Sequence, residues 1–119
     1  MCKEHQPIFA GVSRTATESA TIACESGQGL FFIDCTALTA TGSIVFTIAG
    51  VSPSGTAYTI LTSAAITATG MTVLRVSPQL TAAANTIAKD MLPAALKITA
   101  THANGVAVTY SMSFIGVDD

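Results

Sequence analysis

Charged side chains are what this sequence has least of. Only 10% of its 119 residues are Asp, Glu, Lys or Arg, whereas about 25% is typical of soluble domains. The five cations are scattered along the chain and the net charge is −2. Proteins that bind nucleic acid displace counterions from the phosphates with clustered Lys and Arg. We therefore expect nucleic acid not to be a partner.

Aromatic residues and long apolar runs are also scarce. Aromatics make up 6% of the chain, tryptophan is absent, and both tyrosines are predicted to point inward, which leaves no stacking platform for a carbohydrate. No segment approaches the roughly 20 apolar residues of a membrane span. The first residues lack the apolar stretch of a secretory signal. We expect no membrane partner and synthesis in a cytoplasm.

The three cysteines do not form a disulfide framework, because an odd number at these spacings does not pair up. If residues 26–29 are a hairpin tip, Cys24 and Cys35 lie about 13 Å apart at the usual rise of a strand, whereas a disulfide needs Cα atoms within about 7 Å. We predict that Cys24 and Cys35 are buried small apolar side chains. Cys2 is predicted to be a free thiol on a flexible arm.

What the sequence does contain is alternation of hydroxyl and apolar residues with a period of two, which is typical of half-buried strands. Turn residues punctuate the alternation about every dozen positions. Seven strands are predicted, at residues 15–24, 30–36, 43–49, 57–62, 71–77, 95–102 and 106–117. One apolar face per strand predicts an all-β, antiparallel two-sheet β-sandwich. Residues 77–92 are compatible with a short helix, a loop or a short strand near Ile87.

The alternation also predicts which side chains face the core. The inward set is Phe31, Ile33, Cys35, Ile44, Phe46, Ile48, Tyr58, Ile60, Leu74, Val76, Leu96, Ile98, Ala100, Val108, Tyr110, Met112 and Phe114. Residues 1–13 show no periodicity and are predicted to form an extended N-terminal arm, followed by a single β-sandwich domain over residues 14–119. The last two strands are predicted to pair through a three-residue loop, 103–105, because that register places Ile98 opposite Tyr110.

The side chains that carry catalysis are present but not in catalytic patterns. No two carboxylates of the folded body have the spacing of a general acid–base pair. Neither a nucleophile turn nor a phosphate-binding loop occurs. Cys2 and His5 supply two metal ligands where a zinc site needs three or four. We expect no enzyme, with no catalytic, cofactor-binding or metal-binding residues.

The strongest functional signal is a charge-free segment, residues 36–74. A lone soluble β-protein protects its strand edges and surface with charges, so the segment favours contact with other subunits; the alternative is that Thr and Ser alone keep a monomer soluble. Asp34 is either an ordinary outward-facing strand residue or forms an intersubunit salt bridge with Arg14 or Arg75. The candidate subunit-contact residues are Arg14, Asp34, Val45, Leu61, Met71, Val73 and Arg75.

Four segments resemble a known class of proteins. These are SGTAYTIL at residues 54–61, AAITATG at 64–70, VLRV at 73–76, and a Leu92-Pro93 pair before a strand. In this order they are similar to small head decoration, or cement, proteins of tailed bacteriophages, and the resemblance runs over residues 29–117. It implies an Ig-like or jelly-roll sandwich made in the host cytoplasm and located on the capsid surface of the virion. It further implies a homo-oligomer, with a trimer favoured, that bridges major capsid protein subunits.

Two other virion roles fit the composition less fully. A tail-tube or other self-assembling subunit would share the scarcity of charge and would polymerise without capsid protein. A binding module at a tail tip would need exposed aromatics or a polar cleft, and the sequence predicts neither.

Overall fold

A computed structural model describes residues 2–24, 26–39, 41–103 and 106–117, with side chains described from His5 onward. The described chain is all-β and forms two sheets packed face to face, which confirms the predicted β-sandwich. Nine strands follow one another along it: β1 (Cys2–Arg14), β2 (Glu18–Ala23), β3 (Gln28–Leu38), β4 (Ile44–Val51), β5 (Ala57–Thr62), β6 (Gly70–Val76), β7 (Ile87–Ala88), β8 (Ala95–His102) and β9 (Val108–Val117).

The strand order identifies the sandwich as a jelly roll. One sheet has the order β1-β9-β3-β6-β7 and the other β2-β8-β4-β5. Apart from the two-residue β7, the antiparallel pairs nest inside one another, β1 with β9, β2 with β8, β3 with β6 and β4 with β5. A long hairpin rolled into two sheets produces this nesting, which distinguishes the jelly roll from the Ig-like alternative.

The core lies between the sheets and is made by the predicted alternation. The burial patterns of β3, β4, β8 and β9 alternate almost without interruption. Phe31, Phe46, Ile98 and Phe114 are fully buried, as predicted from their positions. Cys24 and Cys35 are also buried, which confirms their prediction as small apolar core residues.

The predicted pairing of the last two strands is wrong. β8 lies in the four-stranded sheet and β9 in the five-stranded sheet, so the connection between them crosses from one sheet to the other. Ile98 pairs with Ile48 and Ala20, whereas Tyr110 pairs with Cys35. The turn residues Asn104 and Gly105 lie outside the described residues. The assumed hairpin at residues 26–29 is likewise a crossing, from β2 to β3.

The N-terminal segment predicted as a free arm is instead β1, an edge strand of the five-stranded sheet. It runs antiparallel to β9, with irregularities in register between Cys2 and Glu4, Pro7 and Phe9, and Phe9 and Val12. Each bulge inserts an extra residue and reverses the inward parity of the residues after it, so no period of two is visible in the sequence. Phe9 is 7% exposed and anchors the strand to the core.

The predicted inward face of β5 is also wrong in part, because this strand contains a bulge. The register shifts between Ile48↔Leu61 and Ala49↔Thr59, which leaves Ile60 as the extra residue. Leu61 is therefore 7% exposed, although the alternation had placed it outward. Tyr58, predicted as buried, is 45% exposed at the end of the strand, where its ring covers Gly50.

This bulge can be tested by a pair of neighbouring substitutions. We expect Leu61→Ala to lower the free energy of unfolding by about 2–3 kcal/mol, the lower part of the range for truncating a buried leucine. Thr62→Ala, at an exposed position, should change it by less than about 0.5 kcal/mol. Urea denaturation of both variants measures the difference, and a larger loss for Thr62→Ala would indicate an unbulged strand.

Candidate functional site

The outer side of the five-stranded sheet carries an apolar surface in its centre. The cross-strand pairs Phe32↔Val73, Asp34↔Met71 and Leu30↔Ile115 place these side chains on the side of the sheet that faces away from the core. Met71 is 60% exposed and the others are partly exposed. We call the contiguous set the outer apolar face; its members are Leu30, Phe32, Met71, Val73 and Ile115.

Opposite charges lie at the two ends of the outer apolar face. Asp34 is opposite Met71 at one end, and Arg75 is opposite Leu30 at the other. The two are four residues apart along the strands, which corresponds to about 13 Å. Within the described side chains, neither forms an ion pair; the pair found there joins Arg14 and Glu18. The side chain of Arg75 is exposed and that of Asp34 is partly exposed.

The outer side of the four-stranded sheet has a different chemistry. A row of hydroxyl residues crosses all four strands through the pairs Ser19↔Thr99, Thr99↔Thr47 and Thr47↔Thr62. The neighbouring row contains the cation of Lys97. Hydroxyl groups of this kind remain hydrated at little cost, so the two outer faces of the sandwich differ in what they favour: water on this side and an apolar partner on the other.

The charge-free segment occupies one long side of the sandwich. It includes the inner strand β4 and the whole of β5, which ends the four-stranded sheet. It also includes the Gly70–Leu74 part of β6, which only the two-residue β7 follows in the other sheet. β7 covers β6 at Arg75 and Val76. Among the described strands, nothing pairs with the outer edge of β5, or with the edge of residues 70–74 of β6 that faces away from β3. We call these two unprotected edges the open side.

A groove of about 370 Å³ adjoins the open side. Its walls are Ile60 and Leu61 of β5 and the loop at residues 82–90, which contributes mainly small alanine side chains together with Lys89 and Asp90. Asn85 in this loop has a φ of 65° and makes the tight turn that brings residue 83 back to Ile87. The groove is wide and shallow, so it suits an extended segment or a side chain of a partner protein better than an enclosed small molecule.

Arg14, predicted as a subunit contact, is used inside the chain. Its guanidinium lies 4.6 Å from the centre of the Tyr110 ring and forms a salt bridge with Glu18. Nη1 donates hydrogen bonds to the carbonyl oxygens of Tyr110 and Val12, at 3.0 and 3.1 Å. The side chain is 12% exposed. Arg14 thus stabilises the junction of β1 and β9, and Arg75 is the better placed of the two arginines for an external partner.

Tyr110 is the centre of this cluster. Its ring makes edge-to-face contacts with Phe9 and Phe46, at centroid distances of 5.7 and 5.1 Å. Burial, followed by the negative charge of Glu18, raises the pKa of Tyr110 to about 12, and the Arg14 guanidinium acts in the opposite direction. The hydroxyl is 3.5 Å from Glu18 Oε1, a long hydrogen bond. Tyr110 is therefore a structural element of the core, and its hydroxyl keeps its proton at neutral pH.

The remaining predicted contact residues fall into different places. Asp34, Met71, Val73 and Arg75 are brought together by the pairing of β3 with β6. Val45 is partly exposed on the hydroxyl-bearing side, opposite Thr101. Leu61 is in the core, so its predicted outward position is wrong. The sequence does not bring these positions together by itself, because they belong to four strands of two sheets.

Three members of the outer apolar face were missed from the sequence: Leu30, Phe32 and Ile115. A signal for two of them was present in the run Leu30 to Ile33, which is apolar at both parities. A strand with one face exposed to water has alternating apolar and polar residues, whereas a strand covered on both faces has a continuous run of apolar residues. Ile115 breaks the Thr and Ser pattern of the outward positions of β9 in the same way.

Titratable and thiol groups outside these surfaces do not converge on one point. Cys24 Sγ donates to the Ser26 carbonyl oxygen at 3.0 Å, and burial raises the pKa of Cys35. Both ring nitrogens of His102 are buried without a hydrogen-bond partner among the described groups. No group of three or more His, Cys, Asp or Glu side chains able to hold a metal ion occurs among the described residues.

Comparison with known proteins adds no family to this picture. The sequence matches no protein-family model, and no curated protein sequence is significantly similar to it. In the described part of the chain, no helix is long and apolar enough to cross a membrane.

Proposed function

We propose that this protein is a virion structural protein that binds the outside of a tailed-phage capsid and stabilises it by bridging major capsid protein subunits. The observation that carries the proposal is the open side, where two sheet edges lie within a segment free of charge. Natural β-proteins protect such edges with charges, prolines or covering loops. An edge left open in this way favours a partner that covers it in the working assembly.

The order of segments that resembles head decoration proteins supports the phage assignment, and the jelly roll agrees with the fold that the resemblance implies. A bridging protein needs a stiff body with neutral contact surfaces. The nested strand pairs provide the stiffness, because the pairs of β1 with β9, β2 with β8 and β3 with β6 link distant parts of the chain. The open side and its groove provide a surface onto which an extended segment of capsid protein can add as a further strand.

A self-assembling virion subunit, such as a tail-tube protein, is the second candidate. The same open side favours it, since an unprotected edge of one copy can pair with an edge of the next and generate a filament or ring. The two functions differ in what the isolated protein does. A decoration protein stays a small discrete species until capsids are added, whereas a tube subunit polymerises alone.

The proposal is tested with purified protein and expanded heads of the encoding phage that lack it. We expect the wild-type chain to co-sediment with the heads and to raise the temperature at which they release DNA. Thr59→Lys places a charge on the exposed edge strand β5 and should weaken binding by at least about tenfold. Thr101→Lys, exposed on the inner strand β8, is the matched control and should bind as the wild type does.

Three outcomes would contradict the decoration function. These are an absence of wild-type binding, equal binding by Thr59→Lys, and growth of open-ended polymers in light scattering without heads. The last result would support the tube subunit instead. Thermal denaturation of each variant, followed by circular dichroism, establishes that the comparison is between folded proteins.

A further inference from the structure

We infer that two copies of this chain pair through the outer apolar face, about a two-fold axis, with Asp34 of each copy forming a salt bridge to Arg75 of the other. This pairing covers side chains on the outer surface of the five-stranded sheet and leaves the backbone edges of the open side free. It is a property of the isolated protein and stands independently of the capsid proposal. Its basis is the composition of the face and the arrangement of its two charges.

The apolar side chains of the face form one contiguous patch, which is unusual for a surface that remains exposed to water. Phe32 and Val73 are direct cross-strand neighbours, with Leu30 and Met71 on the rows to either side. Contiguous apolar patches on soluble domains mark contact surfaces. Two such sheets pack at about 10 Å with interdigitating side chains, in the same way as the two sheets within one sandwich. A second sheet is therefore a suitable cover for this one.

The charges select a second copy of the same chain as that cover. Consider a two-fold axis that runs parallel to the Phe32–Val73 row, midway between the five-stranded sheets of the two copies. This axis exchanges the two ends of the face. It places Asp34 of the partner subunit over Leu30, one strand away from Arg75. Adjacent strands are about 4.8 Å apart, a distance that an arginine side chain spans. Both Asp34–Arg75 pairs form at once, because a two-fold contact is self-complementary.

The pairing favours a dimer, although the resemblance implied a trimer. A face that contacts itself closes after two copies, whereas a ring of three requires two different surfaces that recognise each other. The hydroxyl-bearing side of the sandwich then faces outward on both copies. In such a dimer the two open sides remain accessible, so one dimer holds two capsid contacts. A pair of sandwiches can thus bridge two capsid subunits without an arm.

The test is a charge exchange, read out by sedimentation equilibrium of the purified chain. We expect a mass of twice 12.1 kDa at micromolar concentrations for the wild type. Asp34→Arg and Arg75→Asp should each weaken association by at least about tenfold, because each places like charges together in both salt bridges. The double variant restores opposite charges and should associate within about threefold of the wild type. Thr47→Lys, on the hydroxyl-bearing side, is the control and should not change the mass.

Phe32→Lys supplies a second, independent variant, because it places two cations on the axis and should leave a monomer. Circular dichroism establishes that each variant is folded. A wild-type monomer at about 50 µM, a trimeric mass, or a double variant that stays as weak as the single ones would overturn the pairing. If the protein is a monomer that binds phage heads, only the pairing is overturned. If it is a dimer that does not bind phage heads, only the capsid proposal is overturned.

Discussion

Replacing Gly29 by alanine is expected to lower the free energy of unfolding by about 3 kcal/mol, the upper range for overpacking a core. A Cβ atom at this position would lie 2.3 Å from the ring of Phe114 and 2.8 Å from the carbonyl oxygen of Ile115. The ring is held by Phe31, whose centroid is 4.8 Å away, and the oxygen belongs to the neighbouring strand. Neither can move without disturbing the pairing of β3 with β9.

Gly27 provides a matched control two residues away. A Cβ atom there would meet nothing within 4 Å, so Gly27→Ala should change stability by less than about 0.5 kcal/mol. Urea denaturation at constant pH compares the two variants. Equal stability of Gly29→Ala and the wild type would mean that the Phe114 ring does not lie across β3, and the packing of β3 against β9 would have to be revised.

Tyr110→Leu is expected to lower the free energy of unfolding by about 3 kcal/mol, because leucine fills only part of the volume of the tyrosine ring and makes none of its aromatic contacts. The substitution removes the edge-to-face contacts with Phe9 and Phe46 and the ring beneath the Arg14 guanidinium. Loss of a large buried aromatic side chain costs about 3–5 kcal/mol when it is fully truncated. We expect β1 to loosen first, which amide hydrogen exchange of residues 8–14 would detect.

Tyr110→Phe removes the hydroxyl and keeps the ring, so it isolates the contribution of the hydroxyl to the pH dependence of stability. Since the pKa is about 12 in the folded chain and about 10 in the unfolded chain, the unfolded state loses its proton first as the pH rises. Stability contributed by the neutral phenol is therefore complete below pH 10 and is lost between about pH 10 and 12, by roughly 2 kcal/mol. Tyr110→Phe should unfold like the wild type at pH 7 and lose less stability above pH 10. Parallel alkaline curves for the two proteins would contradict the buried position of the hydroxyl.

Only part of the candidate site could be predicted from the sequence. Met71 and Val73 were recognised because apolar residues at outward positions interrupt a hydroxyl pattern, and Asp34 and Arg75 because charges are rare. That these four share one face depends on the pairing of β3 with β6, strands separated by some thirty residues. Leu61 was misplaced because the bulge at Ile60 reverses parity. Two adjacent apolar residues, Ile60 and Leu61, do not show by themselves which of the two faces the core.

By itself the amino-acid sequence determined the fold class, most strand boundaries and the buried residues of β3, β4, β8 and β9, because side-chain alternation is a local property of a strand. Only the tertiary structure decided which strands are neighbours. Backbone hydrogen bonds between strands do not depend on side-chain identity, so the sequence alone did not distinguish a hairpin between β8 and β9 from a crossing between sheets. The outer apolar face and the open side therefore follow from which strands pair with one another, and the sequence alone did not show this.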